Sequence, residues 1–253
     1  MTISAIIEAR MNSSRLPGKV MLPVLDEPLI GHLIKRLKKV PSLDNIVIAT
    51  SINKKDDIIE DYANKNLIKV FRGSELNVLE RVTKAALKFN VKTIVSISGD
   101  CPLIDPEIIE QTINIFKFNN VDYVSNSFYS SYPDGMDTQV FKIDSLIKTL
   151  ESTDDPLDKE HVTRYIVNNP NLFSHFYLIA PPSLYWPKLG LIVDEEQDFN
   201  FVKALIENLN KKNKIFSCRE ILDFLKTHPK FLKLNDKVTR NNNRPLLSCI
   251  KRY

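Results

Sequence analysis

Residues Ile3-Ser4-Ala5-Ile6-Ile7-Glu8 run directly into Ala9-Arg10-Met11-Asn12-Ser13-Ser14-Arg15-Leu16-Pro17-Gly18-Lys19, and Ile30, Leu33, Ile34 and Leu37 then recur at helical spacing. An apolar run, a polar loop and an amphipathic stretch read as strand, loop and helix. The pattern repeats outward from there. Residues 46–49 read as a second strand, 58–63 as a helix, 68–71 as a third strand and 78–89 as a helix. Residues 93–98 are β-branched and strand-like, and Asp105-Pro106-Glu107 opens a helix with a capping carboxylate, a proline at the first helical position and an early acid. Residues 121–124 add another strand. Such alternation predicts an α/β fold, a mostly parallel central sheet covered by helices on both faces, with ligands beyond the carboxyl ends of the strands.

The regularity stops at residues 126–187, which contain aromatic residues, the turn Tyr132-Pro133-Asp134-Gly135 and a helical stretch over 157–167. This segment is expected to be an insertion over the sheet, with Trp186, Tyr185 and Pro187 anchoring it. Residues 189–193 return to strand character, and 199–209 and 219–225 read as closing helices. The expected organisation is one domain over 1–210, containing the insertion, and a helical extension with a basic tail over 211–253. The Lys- and Arg-rich stretch 226–253 reads as solvated surface rather than an RNA-binding arm.

The chain has 253 residues, 35 Lys+Arg against 31 Asp+Glu, a net charge of +4, 43% hydrophobic and 26% charged residues. That composition is globular, and the length suffices for one sizeable core, which excludes disordered and fibrous classes. A charge of +4 is too small for wrapping nucleic acid. No apolar run approaches the roughly 18 to 20 residues that span a bilayer, and Glu8 and Arg10 stand where a signal peptide needs apolar residues. The expectation is a cytoplasmic protein with no membrane or nucleic-acid partner. Cys101, Cys218 and Cys249 are odd in number and widely spaced, which argues against a disulfide framework and a multi-cysteine zinc site, and predicts reduced thiols. Only six glycines occur, at positions 18, 31, 73, 99, 135 and 190, so each can mark tight backbone geometry.

Three segments carry the chemistry. The loop from Ala9 to Lys19 places Arg10, Arg15 and Lys19 with Ser13 and Ser14 at the end of the first strand. By composition it is a polyphosphate cradle, with backbone N–H groups, hydroxyls, planar guanidinium forks and a lysine point charge; a solvated basic loop is the alternative. It is not a Walker loop, because Val20 follows the lysine, and no G-x-G-x-x-G appears. In Ser96-Ile97-Ser98-Gly99-Asp100-Cys101-Pro102-Leu103 a strand ends in glycine and a carboxylate. In Leu191-Ile192-Val193-Asp194-Glu195-Glu196-Gln197-Asp198 an apolar strand ends in acid. Helix capping explains each aspartate alone. If both strands lie in one sheet, Asp100 and Asp194 converge on the crevice of the basic loop and form a Mg²⁺ site, since Mg²⁺ takes one or two carboxylates and completes its shell with phosphate and water.

These segments resemble the cytidylyltransferases that activate nonulosonic and octulosonic acid sugars, and most closely their spore-coat polysaccharide branch. The similarity covers roughly residues 1–210. It rests on Ala9-Arg10-Met11 through Lys19, Phe71-Arg72-Gly73-Ser74-Glu75 through Val78-Leu79-Glu80-Arg81, Gly99-Asp100-Cys101-Pro102-Leu103-Ile104-Asp105, Tyr132-Pro133 through Gly135-Met136-Asp137, Glu160-His161-Val162-Thr163, and Val193-Asp194-Glu195. The resemblance implies a Rossmann-like, GT-A-like nucleotidyltransferase domain in three layers, CTP as cosubstrate, Mg²⁺ as cofactor, and often a homodimer formed through 126–187. It implies that Arg10, Arg15 and Lys19 hold the triphosphate together with Ala9 and Ser14. Arg72, Ser74 and Arg81, with Gly99, would line the cytosine and ribose pocket. Asp100 and Asp194 would bind metal, and Tyr132, Asp137, Glu160 and His161 would face the acceptor. Glu8 replaces the usual Gln or Pro, placing a negative charge near the phosphates unless Arg10 or Arg15 pairs with it; Asn77 and Arg164 also depart from the pattern.

The implied reaction is attack of an acceptor oxygen on the α-phosphorus of CTP with in-line departure of pyrophosphate, catalysed by positioning and by Lys19, Arg10, Arg15 and the metal on Asp100 and Asp194. His161 can orient or deprotonate the hydroxyl. The expected acceptor is an acidic sugar for a surface polysaccharide. A phosphate or phosphonate acceptor, and a non-catalytic nucleotide-binding module, are the alternatives. A glycosyltransferase is disfavoured because no Asp-x-Asp triplet follows a strand.

Overall fold

Alternate residues of the first strand face opposite ways, and both directions are apolar, so the strand must be covered twice. In β1 (Ile3–Glu8) Ala5 and Ile7 enter one core, while Ile6 enters another. The structure, a computed structural model, describes residues 2–210 and 215–240. The tail beyond 240, including Cys249, lies outside the described residues.

After β1 come a short hairpin of β2 (Pro23–Val24) and β3 (Glu27–Pro28), then α1 (Leu29–Leu37), β4 (Asn45–Ser51), α2 (Asp57–Lys65), β5 (Lys69–Gly73), α3 (Val78–Lys88), β6 (Thr93–Ser98) and α4 (Pro106–Phe118). Next are β7 (Tyr123–Ser125), β8 (Gln139–Lys142), α5 (Ile143–Ser152), α6 (Pro156–Glu160), α7 (Arg164–Asn168), β9 (His175–Tyr177), α8 (Glu196–Leu209) and α9 (Cys218–Thr227). The seven-stranded sheet has the order β5-β4-β1-β6-β8-β7-β9. Pairing is parallel from β5 to β6 and between β7 and β9, and antiparallel on both sides of β8. The sheet is therefore mostly parallel, as the alternation predicts.

Ile30, Leu33, Ile34 and Leu37 of α1, with residues of α2 and α4, cover the face of Ala5, Ile48 and Val95. Leu79, Val82 and Ala86 of α3, with Leu146 of α5 and Ile166 of α7, cover the face of Ile6, Val47 and Ile94. Burying side chains such as Leu33 and Leu79 is worth about 1.5–3 kcal/mol each. A third core joins Phe201, Val202 and Leu205 of α8 to Ile221, Leu222 and Leu225 of α9 and to Leu191 and Val193. One carboxylate ties these parts: Asp105 accepts from Glu107 N at 2.9 Å to cap α4, and from Cys218 N at 2.6 Å at the start of α9.

Three sequence expectations need correction. Residues 126–187 do more than lie over the sheet, because Gln139–Lys142 and His175–Tyr177 are strands of it. Residues 189–193 form no sheet strand. Only Gly190 bridges, to Asp134, while Leu191 N donates to Asp134 O at 2.7 Å and Val193 N to Asp100 O at 3.0 Å. The segment's backbone partners are loops, which still carry it to the carboxyl end of the sheet. The helix expected over 157–167 is interrupted at 161–163, separating α6 from α7.

Candidate active site

The loop after β1 returns on itself before the helix begins. Gly18 N donates to Met11 O at 2.8 Å, and Gly18 itself has φ +75°, a left-handed conformation that a Cβ would strain. The loop's start is held by Asp56, a buried carboxylate that accepts from Met11 N at 2.7 Å while also accepting from the hydroxyls of Thr50 and Ser51 at 2.9 and 2.5 Å. Lys19 is thereby turned inward and is only 9% exposed.

Its ammonium bridges two acids. Lys19 Nζ lies 2.6 Å from Asp100 Oδ2 and 2.9 Å from Asp194 Oδ1, and Arg15 Nη2 reaches Asp194 Oδ1 at 2.8 Å. Ser98 Oγ donates to the other oxygen of Asp100 at 2.5 Å. Burial opposes the charge on Lys19, but the two aspartates outweigh it and hold the ammonium above its ordinary pKa. Loops that follow β6 and precede α8 thus bring two hard oxygen ligands onto one cation. That donor set fits Mg²⁺, which needs one or two carboxylates and takes phosphate oxygens for the rest. No group of three or more His, Cys, Asp or Glu that could hold a metal is present among the described residues.

Around this triad lies a cavity of about 360 Å³ lined by Ala9, Arg10, Ser14, Arg15, Lys19, Arg81, Asp100, Glu160, His161 and Asp194 among the expected residues. Glu8, Ser13, Val20, Val78 and Ser98 also line it. Glu160 and His161 are exposed at its mouth, where the chain breaks between α6 and α7. Among the described residues Arg10 has no ion-pair partner. A larger hollow of about 810 Å³ lies between α1, α4 and the start of α9, walled by Lys35, Lys38 and Lys39 and by Asp105 and Glu107. Its Asp105 is spent on the two backbone caps described above.

Glu8 pairs with neither Arg10 nor Arg15. It is partly open to the cavity, accepts from Ser96 Oγ at 2.8 Å, and burial pushes its carboxyl above the ordinary value despite that bond and the nearby Arg81. Burial likewise lowers Arg81, against the pull of Glu8. Arg81 Nη1 donates to Ser74 O at 2.6 Å. Burial, with Asp100 alongside, raises the Cys101 thiol well above its usual range, so it is no nucleophile.

Other expected residues are not brought into the cavity. Arg72 is spent on Asp57 at 2.5 Å and Glu60 at 2.8 Å, with further bonds to the carbonyls of Ser51 and Asn53. Ser74 supports the turn into α3, accepting from Asn77 N at 3.0 Å. Gly99 lies behind the cavity wall, its N donating to Glu8 O at 2.9 Å. Tyr132 is buried in the third core beside Leu103 and Met136, and Asp137 lies near Cys101. Sequence reasoning missed Ser98 and Asp56; an aspartate just before the helix at 57 was the available signal for the second.

A cytidylyltransferase family profile matches residues 4–232. The chain is 37% identical over 244 residues to the uncharacterized protein MJ1063 of Methanocaldococcus jannaschii, covering 96% of this chain and 98% of that one. It is 34% identical over 230 residues to the spore coat polysaccharide biosynthesis protein SpsF of Bacillus subtilis, covering 88% and 94%. Among solved structures, a cytidylyltransferase from Leptospira borgpetersenii superposes with a TM-score of 0.88 at 31% identity, over 95% of this chain and all of that one.

Proposed function

Because the chain belongs to the cytidylyltransferase family and is a CTP-dependent nucleotidyltransferase, we propose that it transfers CMP from CTP to an acidic sugar, of the nonulosonic type or similar, for a surface polysaccharide. The observation that carries this is the Lys19 bridge between Asp100 and Asp194 at the floor of a cavity that Arg10, Arg15 and Arg81 also face. The name of the Bacillus subtilis relative supports the polysaccharide destination.

In this reading Arg10, Ser14, Arg15 and Lys19, with the backbone at Ala9, hold the triphosphate, and Arg81 lies on the nucleoside side. Asp100 and Asp194 hold Mg²⁺, which when bound neutralises charge on the phosphate oxygens. An acceptor hydroxyl at the mouth attacks the α-phosphorus. A P–O bond forms there as the bond to the bridging oxygen of the β-phosphate breaks, pyrophosphate leaves with the electron pair, and the hydroxyl proton passes to His161. Lys19, Arg10 and Arg15 stabilise the charge that grows on the phosphoryl oxygens, which is where most of the rate arises in such reactions. Arg72, Ser74 and Tyr132 have no part in it. We assign residues 1–210 to the catalytic domain, expect a homodimer through 126–187, and place the protein in the cytoplasm; no helix among the described residues is long and apolar enough to cross a membrane.

The test is pyrophosphate release from CTP, UTP, ATP and GTP with Mg²⁺, against a panel of acidic sugars and of phosphate and phosphonate acceptors, with product mass measured. A CTP-selective thermal shift comes first, since ligand at about 100 times its Kd adds roughly 2.7 kcal/mol of stability. Turnover with a phosphate or phosphonate acceptor and with no acidic sugar would overturn the acceptor assignment.

A further inference from the structure

The basic segment after α9 is not all solvated surface. Arg240 runs inward, its side chain 15% exposed, and its Nη2 lies 2.5 Å from Oδ1 of Asp198, whose side chain is wholly buried. Asn235 Nδ2, from the same segment, donates to that oxygen at 3.1 Å. The other oxygen of Asp198 accepts from the backbone N–H of Asp194 and of Glu195, both at 3.1 Å. Four donors therefore meet a carboxylate with about four lone-pair sites, and its rotation is fixed. An ordinary helix cap would use one oxygen only. Here the second oxygen is held by residues 235 and 240, and the first holds the backbone of the residue that Lys19 and Arg15 grip.

The guanidinium reaches Asp198 across Gly190. A Cβ at that position would stand 1.8 Å from Arg240 Cζ, so no other residue leaves the passage open. Arg240 Nη1 also lies 3.9 Å from Asp134 Oδ2, and Asp134 pairs through its backbone with Leu189 and Leu191. One side chain thus packs against the α8 cap, the segment leading to Asp194 and the turn of 126–187. Val193 N, donating to Asp100 O, extends the same framework to the other acid.

We propose that Arg240 is a positioning residue for Asp194, holding through Asp198 the backbone that aims its carboxylate at the nucleotide and metal. The proposal rests on the reading of Asp194 given above. Removing the guanidinium leaves a buried charge uncompensated and Asn235 alone to hold that side of Asp198. The Asp194 carboxylate then loses its aim, while the loop from Ala9 to Lys19 and Arg81 remain as they were.

The experiment measures CTP binding by calorimetry, with and without Mg²⁺, together with kcat and KM, for wild type, Arg240→Gln, Arg240→Lys and Gly190→Ala. In wild type Mg²⁺ should tighten CTP binding by about tenfold or more. In Arg240→Gln, Mg²⁺-free binding should stay within about twofold while the Mg²⁺ enhancement falls at least about fivefold. Gly190→Ala displaces the guanidinium without changing charge and should reproduce that pattern; Arg240→Lys should restore part of the enhancement. An unchanged Mg²⁺ enhancement in folded Arg240→Gln and Gly190→Ala overturns the positioning role, and so does a failure of all three variants to fold, which would make Arg240 a stability residue. Wild type that binds CTP without any Mg²⁺ enhancement would instead overturn the reading of Asp194 itself.

Discussion

Replacing Lys19 with methionine keeps the unbranched stem of the side chain and deletes the ammonium that Asp100 and Asp194 share. The lysine side chain is 11% exposed, and those of Asp100 and Asp194 are 13% and 17%. Breaking a buried pair by removing one partner costs about 3–5 kcal/mol. Arg15 remains on Asp194 and Ser98 on Asp100, so the lower end, about 3 kcal/mol, is expected. At about 2–4 °C per kcal/mol for a chain near this size, Tm should fall by roughly 6–12 °C. Added Mg²⁺ should return part of the loss by supplying the missing positive charge. Turnover should drop about 10²- to 10³-fold, as for loss of one preorganised electrostatic contact. Thermal melts with and without Mg²⁺ measure the stability, and pyrophosphate release measures the rate. A Tm within 2 °C of wild type on the roughly 2–4 °C scale above would refute the assignment of the bridge.

Glu8→Gln should stabilise the protein at neutral pH. The folded carboxyl is raised, so the native state keeps its proton longer than the unfolded chain, and wild-type stability falls as pH rises above the ordinary value of 4.5. The advantage of the glutamine should therefore vanish below that value and grow above it; a difference in Tm that stays flat from pH 4 to 8 would contradict this. Gly18→Ala should cost about 1–2 kcal/mol, because the left-handed backbone crowds a Cβ and Met11 Cε would lie 3.2 Å away. Its KM for CTP should rise with the distorted loop, and an unchanged KM would separate the loop's conformation from nucleotide binding. Arg72→Ala should leave KM for CTP within about twofold, since its guanidinium serves Asp57 and Glu60. A larger rise would return it to the nucleotide pocket.

The first half of the fold was readable because its elements announce themselves locally. β1, β4 and β6 are long β-branched runs, and α1 and α3 show a clear 3.6-residue stripe. β8 has only Val140 and Phe141 as apolar residues, so four residues of ordinary loop composition became a central strand through their neighbours. The opposite error arose at 189–193, apolar enough for a strand but hydrogen-bonded to loops. In the site, the acids and the basic loop were legible because strand ends collect functional groups. Arg72 and Tyr132 were not, because a lone cation or phenol does not reveal whether Asp57 or a core wall is waiting for it. Arg240 lies 42 residues beyond its partner Asp198 and within a basic stretch, where charge alone suggests solvent.

The place of β8 also governs how the sheet comes together. Among the described residues β7 pairs with β8 and β9 alone, and β8 arrives later in the chain than either β6 or β7. A folding chain can therefore zip β1, β4, β5 and β6 through successive crossovers, whereas β7 stays unpaired until β8 inserts beside β6. The two halves of one continuous sheet should then behave as separate cooperative units, with amide exchange in β7, β8 and β9 sharing one opening free energy lower than that of β1 and β6.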